Sequence, residues 1–107
     1  MRIEVDIYSG RPDNPTLELT AAEAEKLRKL LKNLTRTQAA PPEPGLGYRG
    51  FVITGSEDAL GGLGARLRVF GGYVISEDRQ EVFKDTGDVE GLLRQVATRS
   101  GYGNVIP

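Results

Sequence analysis

Arg11 is held between Gly10 and Pro12 in the loop Tyr8-Ser9-Gly10-Arg11-Pro12-Asp13-Asn14-Pro15, the stretch of this chain richest in chemistry. A turn draws on Gly, Pro, Asn and Asp for backbone reasons; it has no use for a guanidinium. Pro12 biases Arg11, and Pro15 biases Asn14, toward extended backbone, so the loop is stiffened at two points. A stiff polar loop is what a binding site uses. Arg11 would donate to an anion or a carbonyl, with Asp13 and Asn14 setting orientation. The candidate binding set is Ser9, Arg11, Asp13 and Asn14, joined by Tyr48 and Arg49 if the strand that follows them packs beside the first. The competing reading is structural: Arg11 and Asp13 tie the loop to its own sheet or to the Tyr48-Arg49 segment.

Composition removes much of the usual catalytic repertoire. The chain has 107 residues with no histidine and no cysteine. Disulfides, thiol nucleophiles, Cys/His zinc sites and Ser-His-Asp triads are therefore excluded, as is a histidine pH switch. The 14 basic and 15 acidic residues give a net charge of -1. A nucleic-acid binder shows a basic excess or stripe, so neither a nucleic acid nor a membrane surface is expected as partner. No apolar run approaches the ~18 residues that suggest a membrane span, and no leader pattern opens the chain. A cytoplasmic location is expected, which leaves the sequon Asn33-Leu34-Thr35 without meaning.

The elements that must position the loop are readable from periodicity. Residues 2–8 alternate, with Ile3, Val5 and Ile7 opposite Arg2, Glu4, Asp6 and Tyr8, as in a half-buried strand. Leu17 and Leu19 continue the pattern beyond the loop, so the two strands should pair antiparallel. Thr20 and Glu23 form a capping box for a helix over about 21–34, its apolar stripe being Ala24, Leu27, Leu30, Leu31 and Leu34. Residues 35–47 break every pattern around Pro41-Pro42-Glu43-Pro44-Gly45 and read as a semi-rigid crossover.

Strands are expected at 48–54, 65–70 and 81–84, with 55–64 a flexible surface loop. Gly71-Gly72 is either a two-residue hairpin turn or a bulge in one long strand. Val89, Leu92, Leu93, Val96 and Ala97 mark a second helix over about 88–99, capped by Asp88. The expected fold is one α+β domain spanning 1–107. Its mainly antiparallel sheet would have four to five strands, with two amphipathic helices on one face, in the order β-β-α-β-β-(β)-α.

Other motifs carry less. Gly45-Leu46-Gly47-Tyr48-Arg49-Gly50 has G-x-G-x-x-G spacing, but a dinucleotide fingerprint needs a strand before it and a helix after it. Gly61-Gly62-Leu63-Gly64 lacks the Lys and Ser/Thr of a phosphate loop. The acidic pairs Glu57-Asp58 and Glu77-Asp78 and the run 85–90 lack calcium-loop spacing; the first two suit turns and the last a helix cap. No cofactor or metal is expected. Arg2, Glu4, Asp6, Arg66 and Arg68 would share the polar sheet face, where Arg66 and Arg68 could grip one anion together.

The run Ser9-Gly10-Arg11-Pro12 through Asn14-Pro15, with Gly47-Tyr48-Arg49-Gly50-Phe51 downstream, resembles a family of small bacterial proteins. They carry an N-terminal S-G-R-P-N-P motif and a later G-Y-R-G-F segment. The resemblance covers most of the chain and departs by one inserted residue, Asp13. It implies no activity.

The expected function is a small non-enzymatic binding or interaction module for a protein or small molecule, with the 9–15 loop as its site. The alternative is a carboxylate-dependent hydrolase or isomerase using Asp6, Asp13 or Glu18. An exposed edge strand would also allow a homodimer.

Overall fold

A computed structural model describes residues 1–7, 14–43, 45, 47–104 and 106. Nine elements follow one another: β1 (Arg2–Val5), β2 (Thr16–Leu17), α1 (Ala21–Lys32), β3 (Thr35–Thr37), β4 (Phe51–Thr54), β5 (Arg66–Phe70), β6 (Tyr73–Ser76), β7 (Glu81–Lys84) and α2 (Val89–Arg99). The strands form one sheet in the order β2-β1-β4-β5-β6-β7-β3, and every neighbouring pair is antiparallel. The α+β class with two helices is as expected. The sheet has seven strands, not four to five.

Two strands exceed that count: β6, the second arm of the hairpin at Gly71-Gly72, and β3. Thr35-Arg36-Thr37 has no apolar member to alternate, so side-chain periodicity could not reveal it. Backbone pairing to β7 makes it a strand, with Arg36 opposite Phe83 and Arg36 Nη1 3.2 Å from Glu81 Oε2. A short polar strand suits a sheet edge, where it discourages pairing with other chains. Both edges are short, β2 having two residues and β3 three.

Residue alternation sets the two faces of the sheet. The register aligns Ile3, Ile53 and Leu67 in one row and Val5, Phe51, Val69, Val74 and Phe83 in the next. All of these belong to the hydrophobic core, together with Leu27 and Leu31 of α1 and Val89, Leu93, Val96 and Ala97 of α2. Both helices therefore cover this one face. The capping box is present, Glu23 N donating to Thr20 Oγ1 at 3.1 Å and Thr20 N to Glu23 Oε1 at 2.9 Å. The N-terminus of α2 is filled by two carboxylates: Asp85 accepts from Val89 N and Glu90 N, and Asp88 from Gly91 N.

Other boundaries shift for local reasons. The first strand ends at Val5 and the fourth begins at Phe51, both shorter than the 2–8 and 48–54 patterns. The 55–64 segment is more than a surface loop. Leu60 is fully buried, and backbone bonds from Leu60 to Ser56 and from Gly62 to Glu57 close the segment on itself. Gly71-Gly72 is a hairpin turn, with φ of 62° and 89° between the paired Phe70 and Tyr73. Two consecutive positive φ values are what a tight antiparallel turn requires. No helix is long and apolar enough to cross a membrane among the described residues.

β3 lies at the far edge from β1, so the chain must return across the sheet to place β4 beside β1. The proline-rich segment makes that return. Pro42 lies against the β5–β6 turn, its Cγ 2.6 Å from where a Cβ on Gly71 would stand.

Gly47 and Gly50 separate backbone strain from crowding just before β4. Both have positive φ, 86° and 91°, but only at Gly50 would a Cβ meet the Val69 carbonyl oxygen, at 2.2 Å. In urea unfolding, Gly47→Ala is expected to cost about 1–2 kcal/mol. Gly50→Ala should cost that and a further ~1–3 kcal/mol for the overlap.

Candidate ligand-binding site

The backbone ladder between β1 and β4 extends past the formal end of both strands. Asp6 N donates to Gly50 O at 2.9 Å, and Arg49 N donates to Asp6 O at 2.7 Å. Arg49 is thereby placed beside the end of the first strand, the condition on which the sequence joined it to the site. It also brings the Asp6 carboxylate to the centre of a charged cluster.

Asp6 is 3% exposed. Its Oδ2 accepts from Arg68 Nη1 at 2.9 Å and lies 3.7 Å from Arg49 Nε, and its Oδ1 accepts from Asn14 Nδ2 at 3.4 Å. A buried carboxylate needs such partners, since an uncompensated buried charge is very costly. Arg68 has three acceptors. Besides Asp6, its Nη1 donates to the Arg49 carbonyl at 2.8 Å, and its Nε lies 3.4 Å from Glu77 Oε2. Arg66 Nε takes the other oxygen of Glu77 at 3.0 Å. Arg66 and Arg68 do grip one anion together, as their alternation suggested, and that anion is the protein's own Glu77.

The arginines of the cluster differ in one decisive respect. The Arg49 Nε is buried and has no hydrogen-bond partner. Among the described residues the guanidinium's one ionic neighbour is Asp6, already bonded to Arg68. The Arg49 side chain is 31% exposed against 13% for Arg68, so it is the more open of the two to an outside acceptor. It lines a cleft of about 640 Å³ on the sheet face opposite the helices, together with Arg68, Ile75, Glu77 and the crossover residues Ala40, Pro41, Pro42 and Glu43.

The expected site residues are distributed unevenly. Ser9, Arg11 and Asp13 lie outside the described residues. Asn14 is buried and turned inward: its Oδ1 accepts from Ile7 N at 3.0 Å while its amide donates to Asp6, so it joins the end of the first strand beside the cluster. Arg49 lines the cleft. Tyr48 faces α2 instead. Its ring packs edge-on against Phe51 at 5.9 Å and beside Phe70 at 5.8 Å. Its hydroxyl donates to Glu90 Oε2 at 2.5 Å, and Arg94 lies over the ring.

Of the carboxylates considered for acid or base work, Asp13 is outside the described residues and Glu18 is exposed. Asp6 has both oxygens engaged. Glu77 and the crossover wall went unrecognised as site components. The crossover's one sequence signal was the length of the 35–47 connection, since connections this long are commonly functional. No group of three or more carboxylates is placed to hold a metal ion among the described residues. No protein family model, curated protein or solved structure matches the chain.

Two outcomes test this geometry. Asp6→Ala is expected to cost about 3–5 kcal/mol, because it removes the nearer, buried counterion of Arg68. The double variant Asp6→Ala/Arg68→Met should recover at least ~1 kcal/mol of that loss, the coupling being read from a double-mutant cycle.

The second outcome concerns Tyr48. Burial pushes its phenol above the ordinary range, and the Glu90 carboxylate pushes it further. The folded protein thus holds this proton more tightly than the unfolded chain. The resulting stability is complete below the unfolded phenol value of about 10 and is lost as pH rises above it. Tyr48→Phe should accordingly lose stability less steeply than the parent between about pH 9 and 11, as measured by urea unfolding.

Proposed function

We propose that this protein is a small non-enzymatic binding module whose ligand presents a carboxylate or carbonyl oxygen to Arg49. The observation that carries the proposal is that Arg49, its side chain 31% exposed, lines an open cleft while its buried Nε has no hydrogen-bond partner and its one ionic contact among the described residues is Asp6 at 3.7 Å. A charged donor kept beside a cleft by a buried partner is preorganised for an incoming acceptor. The cleft volume lies within the ~300–1,000 Å³ typical of small-ligand sites. The 9–15 loop forms the second part of this site in our reading, since Asn14 closes its base next to Asp6. A binding role suits a chain without His or Cys, whose buried Asp6 is consumed by internal partners.

The test is an amide-resolved NMR titration with a panel of small carboxylates, amides and phosphates. Shifts are expected to concentrate at Arg49, Arg68 and Ile75. Arg49→Gln should weaken binding at least ~tenfold, the usual scale for a hydrogen bond to a charged group. Saturable shifts centred elsewhere, or equal binding by the variant, would remove this site from consideration.

A further inference from the structure

We infer that the ligand is a short peptide with a free carboxylate and a free ammonium group, a class narrower than the acceptor-bearing ligands proposed above and resting on that reading. The inference comes from the charges left over when internal pairing is complete. Arg68 and Glu77 line the cleft but are spent on each other, on Asp6 and on Arg66. Two charged side chains remain for a ligand. Arg49 has no hydrogen-bond acceptor for its Nε. Glu43 is exposed and has no ion-pair partner among the described residues.

The cleft therefore offers one cation and one anion, so a simple anion would satisfy only half of it. A ligand carrying one charge of each sign is complementary to both. The remaining lining is apolar, formed by Ala40, Pro41, Pro42 and Ile75. Such a wall takes an aliphatic side chain, which a metabolite built only of charged groups would not supply. Two features hold the wall in place without the ligand. Consecutive prolines limit the backbone freedom that binding would otherwise have to remove, and Pro42 is seated against Gly71 at the β5–β6 turn. Peptide ends and an aliphatic side chain match this combination: the C-terminal carboxylate on Arg49, the N-terminal ammonium on Glu43 and the side chain on Pro41, Pro42 and Ile75.

The probe is the dipeptide Leu-Leu, compared by NMR titration at neutral pH with its N-acetylated and its C-amidated forms. Leu-Leu should shift the amides of Arg49, Ile75 and Glu43. Amidation, or Arg49→Gln, should weaken binding at least ~tenfold. Acetylation, or Glu43→Gln, should weaken it about 2–5-fold, as expected for a more exposed ion pair. The Glu43→Gln variant should also bind Leu-Leu and its acetylated form alike. Glu43 is exposed and unpaired, so this variant tests the inference even if Arg49→Gln perturbs the fold.

Equal binding of Leu-Leu and N-acetyl-Leu-Leu by the parent would overturn the peptide inference and leave the acceptor site on Arg49 standing. Equal binding of the acid and the amide, or no shift at Arg49, would overturn both the inference and the function it rests on.

Discussion

The buried carboxylate of Asp6 is the constraint around which the rest of the charged architecture is arranged. A charge at 3% exposure is out of reach of water and costly unless paired, so other groups must come to it. Arg68 arrives from β5, Arg49 from the approach to β4, and Asn14 from just before β2. The two arginine contacts join segments distant in sequence. Arg68 goes further, donating to the Arg49 carbonyl and reaching Glu77 beyond the end of β6. One guanidinium thus gathers β1, the entry to β4 and the β6–β7 turn. A buried ion pair of this kind adds little net stability compared with apolar packing, but breaking one partner away is costly. Its effect here is to hold one arrangement of these segments.

That commitment of Arg68 is what leaves Arg49 available. Both arginines are near the same carboxylate, yet Asp6 Oδ2 is 2.9 Å from one and 3.7 Å from the other. Oxygen already bonded to Arg68 is a poor acceptor for Arg49 at that distance. The cluster so divides the labour between a structural cation and a ligand-facing one. Sidedness completes the division. The helices take one face of the sheet, and the crossover from β3 returns over the other, adding Pro41, Pro42 and Glu43 to a surface that would otherwise be open.

Much of the fold was legible locally. The Thr20/Glu23 capping box and the stripe through Leu27 and Leu31 located α1, and Asp88 with Leu93 and Val96 located α2. Alternation around Ile3, Val5, Leu67 and Val69 located β1 and β5 and assigned their buried face. β3 was not legible, because its three residues are polar and its pairing partner β7 lies more than forty positions away. The burial of Leu60 was hidden by the glycines and polar residues around it. The candidate site was legible only in part: Arg49 was picked out as a neighbour of the first strand, whereas Tyr48, picked out with it, turned to Glu90 on α2.

By itself the sequence determined the two helices, the alternating strands with the face each would bury, and the exclusion of histidine and cysteine chemistry, because these depend on residue identity and on periods of two or 3.6 residues. Tertiary structure alone decided which charges cancel. Glu77 meets Arg66 and Arg68 because strand register aligns them, and Asp6 meets Arg68 across sixty-two positions of chain. Whether an arginine is spent or free is a matter of distances to acceptors, and those distances exist only once the strands are paired.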